Sequence, residues 1–291
     1  MKGAIVINGY YSSPSSVYQA DRMKEELTKL GAETEIVKND RPFPIGEKFC
    51  YDFAVFFDKD VNLARNMEES GVLVFNSSFA TENTDDKIRT ALIALRDKEI
   101  VTPLTIPSPK KYSYVKDAEY LKRIGEILGY PLVVKESKGS LGEQVYLAED
   151  FDSLVKIDEK IGNKDKLYQQ YVYESKGKSA RIIVIGKKYF CAMLLNNDGD
   201  FRSNAHAGGK GIAVEADEEY VKAAERVAEL FDLDYCGVDF FAVAPILIEV
   251  NGNAYFTEIE KVTGKNVARR YSEYILETTK EHLLCKNLLS R

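Results

Sequence analysis

Long apolar runs are missing from this chain of 291 residues. No stretch approaches the roughly 18 to 20 uninterrupted apolar residues needed to cross a bilayer as a helix, so a membrane partner is not expected. The opening segment, MKGAIVINGYYSS, has only a four-residue apolar run, Ala4 to Ile7. That is too short for a signal-peptide core and suits a first buried strand. Cysteine is scarce: Cys50, Cys191, Cys236 and Cys285 are scattered without a CxxC pair. Neither a disulfide framework nor a zinc site is indicated, and buried, unpaired thiols in a reducing cytoplasm are expected. Of the two histidines, His206 has no second ligand at metal spacing and reads as a structural or loop residue. The Walker pattern GxxxxGK[ST] is absent, which disfavours a P-loop NTPase. The first strand-to-helix junction, Asn8 to Ser16, lacks GxGxxG spacing, so there is no dinucleotide fingerprint. A basic surplus is also missing: the net charge of −6 argues against a nucleic-acid partner while leaving room for a local basic cleft. Asn76-Ser77-Ser78 fits a glycosylation sequon, read as chance without a secretion signal.

What is present is enough for a sizeable core: 45% of residues are hydrophobic, and two or three domains are expected at this length. Over the first 80 or so residues strands alternate with helices. Ala4 to Ile7, Thr34 to Val37, Phe53 to Phe57 and Val72 to Phe75 read as strands, and Ala20, Met23, Leu27 and Leu30 as one helix face ended by Gly31. This order implies a small parallel sheet. A second unit begins near Asn83, with a helix marked by Ile88, Ala91, Leu92 and Leu95 and another over Ala118 to Gly129. Pro131 to Lys135 and Gln144 to Leu147 are strands around the glycine-bearing segment Ser137 to Gly142. From Leu167 onward adjacent strands dominate: Leu167 to Val172, Ala180 to Ile185 and Tyr189 to Leu195, the last two joined at Gly186-Lys187-Lys188, a hairpin signal. A helix, Glu218 to Phe231, precedes the strand pair Tyr235 to Ala242 and Ile246 to Asn251, and a last helix covers about 266–282.

The strand pair GVDFFAVAPILIEVN carries the most chemistry. If it is symmetric about Ala244, Asp239 lies opposite Glu249. Alternation then puts Val238, Phe240, Ile246, Ile248 and Val250 on one face and Asp239, Glu249 and Asn251 on the other. Two adjacent carboxylates repel unless a divalent cation sits between them, and three oxygen donors without sulfur or imidazole suit Mg²⁺. The alternative is a hairpin whose acids face water. The glycine segment after Lys135 has two readings, a phosphate cradle with Lys135 as the fixed charge or a plain hairpin turn. Tyr168-Gln-Gln-Tyr-Val172 is either a hinge that pairs with an adenine edge or an ordinary strand. Gly199 to His206 is polar and aperiodic; Arg202 and Asn204 could face a transferred phosphoryl group, or the run is a solvated loop.

In chain order these pieces resemble the RimK-type ATP-grasp proteins, the ribosomal-protein glutamate ligase group. The resemblance is carried by Asp86-Lys87, Val133 to Lys135, Gly139 to Gly142, Gln169 to Val172, Gly199 to Asn204, Gly237 to Asp239, Glu249 to Asn251 and Ile259 to Gly264. It implies an α/β (α+β) architecture: an N-terminal Rossmann-like domain over 1–84, then an ATP-grasp domain over 85–291. The latter would divide into a small lid, about 100–166, and a C-terminal antiparallel sheet, about 167–291. By the same resemblance Lys87, Lys135 and Ser140 contact ATP phosphates, and Gln170, Tyr171 and Val172 hold adenine. Ser179 lies near the ribose, Arg202, Ser203 and Asn204 line the phosphate-transfer site, and Arg181 falls at an arginine of the family's nucleotide-binding pattern. Asp239, Glu249 and Asn251 would ligate two Mg²⁺ ions, with Mn²⁺ as a substitute. The implied reaction joins a carboxylate to an amine, on small-molecule or peptide substrates, through an acyl phosphate, in a cytoplasmic homo-oligomer. An ATP-binding protein without ligase activity and an ATP-grasp kinase are the other readings. The chain departs from the family pattern at Gln170 and Ser179, usually acids, at Ala207, usually arginine, and at Gly252 to Tyr255, usually Ala-Ser-Pro-Gly.

Overall fold

A computed structural model describes residues 1–140, 142–203 and 209–289. Its first sheet is parallel, in the order β2-β1-β3-β4, from β1 (Lys2–Ile7), β2 (Glu33–Lys38), β3 (Phe53–Phe57) and β4 (Leu73–Phe75). The helix α1 (Pro14–Lys29) starts where Ser13 caps it: its hydroxyl accepts from the Ser16 N–H, and Ser16 returns the bond to the Ser13 N–H. Pro14 at the first helical position costs no hydrogen bond there. Ala20, Met23 and Leu27 form its buried face, as their spacing predicts. The helix α2 (Val61–Glu69) covers another part of the sheet.

The short helices α3 (Ser78–Asp85) and α4 (Lys87–Ala94) are separated by Asp86, whose carboxylate accepts from the N–H groups of Ile88 and Arg89. On α4 the buried residues are Thr90, Ile93 and Ala94, whereas Leu92 and Leu95 are exposed. The expected Leu92/Leu95 face is thus corrected: an eight-residue helix packs a narrow stripe, and that stripe lies two residues on.

A second sheet has the order β5-β8-β6-β7, with β5 (Thr105–Pro107), β6 (Leu132–Glu136), β7 (Val145–Ala148) and β8 (Lys166–Gln170). It is antiparallel throughout and is backed by α5 (Ala118–Leu128) and α6 (Phe151–Ile161). The sequence reading missed α6, although Asp150 and Ser153 form a capping box before Leu154 and Ile161. Under this sheet the fully buried Lys166 donates to Asp158 at 2.6 Å, and the Tyr168 hydroxyl donates to the same carboxylate at 2.9 Å.

The third sheet runs β11-β10-β9-β12-β13, from β9 (Lys178–Ile185), β10 (Lys188–Asn196), β11 (Lys210–Val214), β12 (Tyr235–Phe241) and β13 (Leu247–Asn251), again antiparallel. Gly186 and Lys187 both take positive φ, 59° and 62°, which makes the two-residue turn between β9 and β10. One face packs α7 (Glu218–Leu230) through Ile182, Val184, Val227, Phe231 and Val238. The other shares a core with the first sheet: Ile183, Ile185 and Tyr235 meet Ile5, Phe53 and Met23 through Phe256 of α8 (Phe256–Thr263) and Tyr271 of α9 (Val267–Leu289).

Asn76 ties the two sheets together. It is 3% exposed, and its amide nitrogen donates to the carbonyls of Tyr235 and Gly252 at 2.8 and 2.7 Å. Its amide oxygen accepts from the N–H groups of Asp234 and Tyr235. With every polar atom in use indoors, this asparagine is no glycan acceptor. The glycine at 252 permits the approach, since a Cβ there would lie 3.0 Å from Thr84 Oγ1 and 3.4 Å from Asn76 Nδ2. All four cysteines are free, but only Cys191 and Cys236 are buried; Cys50 and Cys285 are exposed, correcting the expectation of four buried thiols. Among the described residues no helix is long and apolar enough to cross a membrane.

Two predictions follow from this frame. Asn76→Ala removes four buried hydrogen bonds and leaves their backbone partners unsatisfied, so it should lower unfolding stability by about 2–4 kcal/mol in a denaturant titration. Asp234 concerns pH. Burial pushes its carboxyl up to about 6, against a hydrogen bond from Tyr274. A raised folded-state value means the stabilisation is complete below about pH 4. It is lost as pH rises through about 6. Comparing thermal midpoints from pH 4 to 8, the wild type should lose stability relative to Asp234→Asn over that window.

Candidate active site

The site is built at the centre of the third sheet. Register sets Arg181 of β9 beside Asp239 of β12, and Asp239 beside Glu249 of β13. Arg181 donates Nε to Oδ1 and Nη2 to Oδ2 of Asp239, both at 2.7 Å, a bidentate pair. Asp239 is 7% exposed; burial raises its carboxyl above the ordinary value, Arg181 opposes that, and the Glu249 charge adds to it. The predicted Asp239–Glu249 pairing is therefore present. The predicted faces are present only in part. A β-bulge makes Phe240 pair with Leu247 instead of the symmetric partner, so Leu247 takes the core position and Ile248 turns to the cleft.

Facing this sheet across a cleft of about 860 Å³, open to solvent, is the second sheet. Lys135 of β6 is 8% exposed there. Burial pushes its ammonium down to about 8; Glu249 opposes the shift and Lys87 reinforces it. Lys87 Nζ lies 3.6 Å from Glu249 Oε1 and donates to the Gly139 carbonyl at 3.0 Å. Arg202 donates to the Gly142 carbonyl and to Asp200 Oδ2, both at 2.7 Å. Ser179, 2% exposed, has its hydroxyl 2.6 Å from that of Ser203. The hinge residues Gln170, Tyr171 and Val172 line the same cleft, with the Tyr171 ring 4.9 Å from that of Tyr173.

Most candidate residues thus converge from widely separated positions in the chain. Ser140 stands apart: its hydroxyl accepts from Lys59 of the first unit, at 2.9 Å. Asn251 is half-buried opposite Gly237, two residues beyond Glu249. Asn204, His206 and Ala207 lie outside the described residues, as does Leu141. The sequence reading missed the apolar walls Leu195, Phe241 and Ile248 and the cation Lys178, whereas Gln169 and Phe201, which also line the cleft, lie within its hinge and Gly199 to Asn204 segments. Lys178 is adjacent to the predicted Ser179, and that adjacency was the available signal. The apolar walls had none, because a core strand and a nucleotide-facing strand have the same composition.

Among the described residues no three His, Cys, Asp or Glu side chains gather as a metal set; the candidate here is two carboxylates and an amide. The donors fit Mg²⁺. Arg181 takes one lone pair from each Asp239 oxygen, and an ionised carboxylate has about four such sites, so acceptor capacity remains beside Glu249.

Three sheets around an oxygen-donor pair and a ring of cations define an ATP-grasp enzyme. The RimK-like ATP-grasp domain matches residues 84–275. A probable alpha-L-glutamate ligase of Maridesulfovibrio salexigens is 32% identical over 219 residues, 73% of this chain and 70% of that one. An uncharacterized protein of Mycoplasma genitalium is 31% identical over 249 residues, covering 83% and 84%. The D-alanine–D-alanine ligase of Bacillus anthracis shares the fold, with a TM-score of 0.75 over 97% of this chain and 98% of its own, at 20% identity. The chain belongs to the RimK-like ATP-grasp family. It is an ATP-dependent carboxylate–amine ligase, and the family's ligases use ATP and Mg²⁺.

The central pair gives a stability test. Arg181→Met leaves Asp239 buried beside Glu249 without its cation and should cost about 3–5 kcal/mol. Arg181→Met/Asp239→Asn should recover a large part of that loss, as measured by thermal or denaturant unfolding.

Proposed function

We propose that the cleft activates the carboxylate of an amino acid or peptide as an acyl phosphate and passes it to an amine, glutamate being one candidate substrate. The observation that carries this reading is the Asp239–Glu249 pair, set within one cleft with Lys87, Lys135 and Arg202. The β- and γ-phosphates would lie among these cations, while adenine would enter between the hinge at Gln170 to Val172 and the apolar wall of Leu195, Phe241 and Ile248. Asp239, Glu249 and Asn251 would hold two Mg²⁺ ions, or Mn²⁺. When bound, the metal neutralises charge between the transferring phosphate and the nucleotide. Lys135 keeps a fixed position because its strand buries it, so its charge needs little reorganisation as transfer proceeds. Arg202, already bonded to the glycine loop, would trade the Gly142 carbonyl for a phosphoryl oxygen.

The acceptor would meet the acyl phosphate near Gly252 to Phe256, where the chain departs from the family pattern, so its amine substrate need not be that of its relatives. We read residues 1–84 as the N-terminal domain, about 100–166 as a lid that keeps water from the acyl phosphate, and about 167–291 as the C-terminal part. A cytoplasmic homo-oligomer acting on small molecules or peptides, and on neither nucleic acid nor membrane, completes the proposal. The net charge of −6 supports the exclusion of nucleic acid.

Purified protein incubated with Mg-ATP and a panel of amino acids and short peptides should release phosphate only when an acceptor is present, and hydroxylamine should trap a hydroxamate. Asp239→Asn and Glu249→Gln should each lower turnover by about 100-fold or more. Absence of acceptor-dependent ADP or phosphate across a broad panel would sink the ligase reading; phosphorylation of a hydroxyl without hydroxamate would indicate a kinase.

A further inference from the structure

In the glycine loop, residues 137–140 and 142 are held from several directions. At its start the Lys87 N–H donates to the Ser137 carbonyl at 2.8 Å, Asp86 pairs with Lys138 as an isolated bridge, and the Ser137 hydroxyl donates to the Asp86 carboxylate. Further on, Lys87 Nζ holds the Gly139 carbonyl and Arg202 holds the Gly142 carbonyl. These partners all belong to the nucleotide cleft or its rim. Lys59 does not. It lies between β3 and α2, at the carboxyl end of the first sheet, and its Nζ donates to Ser140 Oγ at 2.9 Å.

The ammonium is placed there by a chain of fixed groups. Asp85, at the end of α3, forms an ion pair with it. The Lys59 N–H donates to Asp58 Oδ1, and its carbonyl accepts from the Val61 N–H. Asp58 is 7% exposed and accepts from the side-chain amides of Asn8 and Asn39. The flexible four-carbon stem of a lysine would otherwise sample many positions; here both its root and its tip are fixed.

We propose that Lys59 is a positioning residue that latches the glycine loop to the first sheet, so that the loop cannot lift without breaking the Lys59–Ser140 bond. Asp85 orients the latch and Ser140 is its catch. The latch explains a serine in the loop whose hydroxyl faces the first unit. It also makes opening of the cleft depend on the loop between β3 and α2. A charge-assisted bond at a half-exposed site should make opening about two- to tenfold rarer. The latch rests on the loop's contacts alone, so it stands or falls separately from the ligase chemistry.

Limited trypsin digestion of the full, nucleotide-free chain tests it, because Lys138 is an exposed cleavage site inside the loop. Cleavage follows the population of the opened loop when opening and closing are fast. Lys59→Ala and Ser140→Ala should each raise the rate of cleavage after Lys138 about fivefold, and Lys59→Ala/Ser140→Ala no further than either alone. Lys59→Arg should restore slow cleavage, and cleavage elsewhere and the unfolding midpoint should stay at wild-type values. A wild-type rate in Lys59→Ala, multiplying effects in the double variant, or equal acceleration at every tryptic site would overturn the proposal.

Discussion

The bidentate bond between Arg181 and Asp239 is the constraint on which the site depends. A carboxylate nine-tenths buried beside a second carboxylate is costly, and the guanidinium on the neighbouring strand offsets that cost. Because the two side chains lie directly across β9 and β12, the pair also fixes the register of the central strands of the third sheet. That register in turn brings Glu249 to the other side of Asp239. Charge, register and ligand geometry are therefore one arrangement rather than three.

The cations around this centre are distributed between the two sides of the cleft. Arg181 is committed to the sheet, whereas Lys87 and Arg202 hold carbonyls of the glycine loop. Those carbonyl bonds are weaker attachments than an ion pair with phosphate, so the same side chains can support the loop and receive a nucleotide. Lys135 differs because it is buried on β6, where burial disfavours its ammonium and the Glu249 charge favours it.

The three sheets are not equally independent. The first and third share a core through Ile183, Tyr235, Phe256 and Phe53, and Asn76 joins their backbones with four hydrogen bonds. The second has its own core, Leu121, Ile124, Leu132 and Leu154 among others, with a buried Lys166–Asp158 pair. A rigid base formed by two sheets and a separately packed third one is the division expected of a cleft that must open for substrates.

Much of this was legible in the residues. Period-two and helical spacing marked α1 and strands in each of the three sheets, though not β5 or β11, and an assumed symmetry of one hairpin about Ala244 set Asp239 against Glu249. The pairing is present, but the turn itself is offset by one residue, with Phe240 opposite Leu247, and the bulge brings Asp239 back into register with Glu249. The helix α6 could have been found as well, from Asp150 and Ser153. What spacing could not supply was anything arising from contact between distant segments. The bulge that turns Ile248 into the cleft, the Arg181 partner of Asp239, the buried Asn76 and the bond from Lys59 to Ser140 all require separate elements to be packed first. The sequence alone determined which groups are available and which lie on a common strand face; tertiary packing decided which charges meet, because desolvation and pairing act on neighbours in space and not on neighbours in the chain.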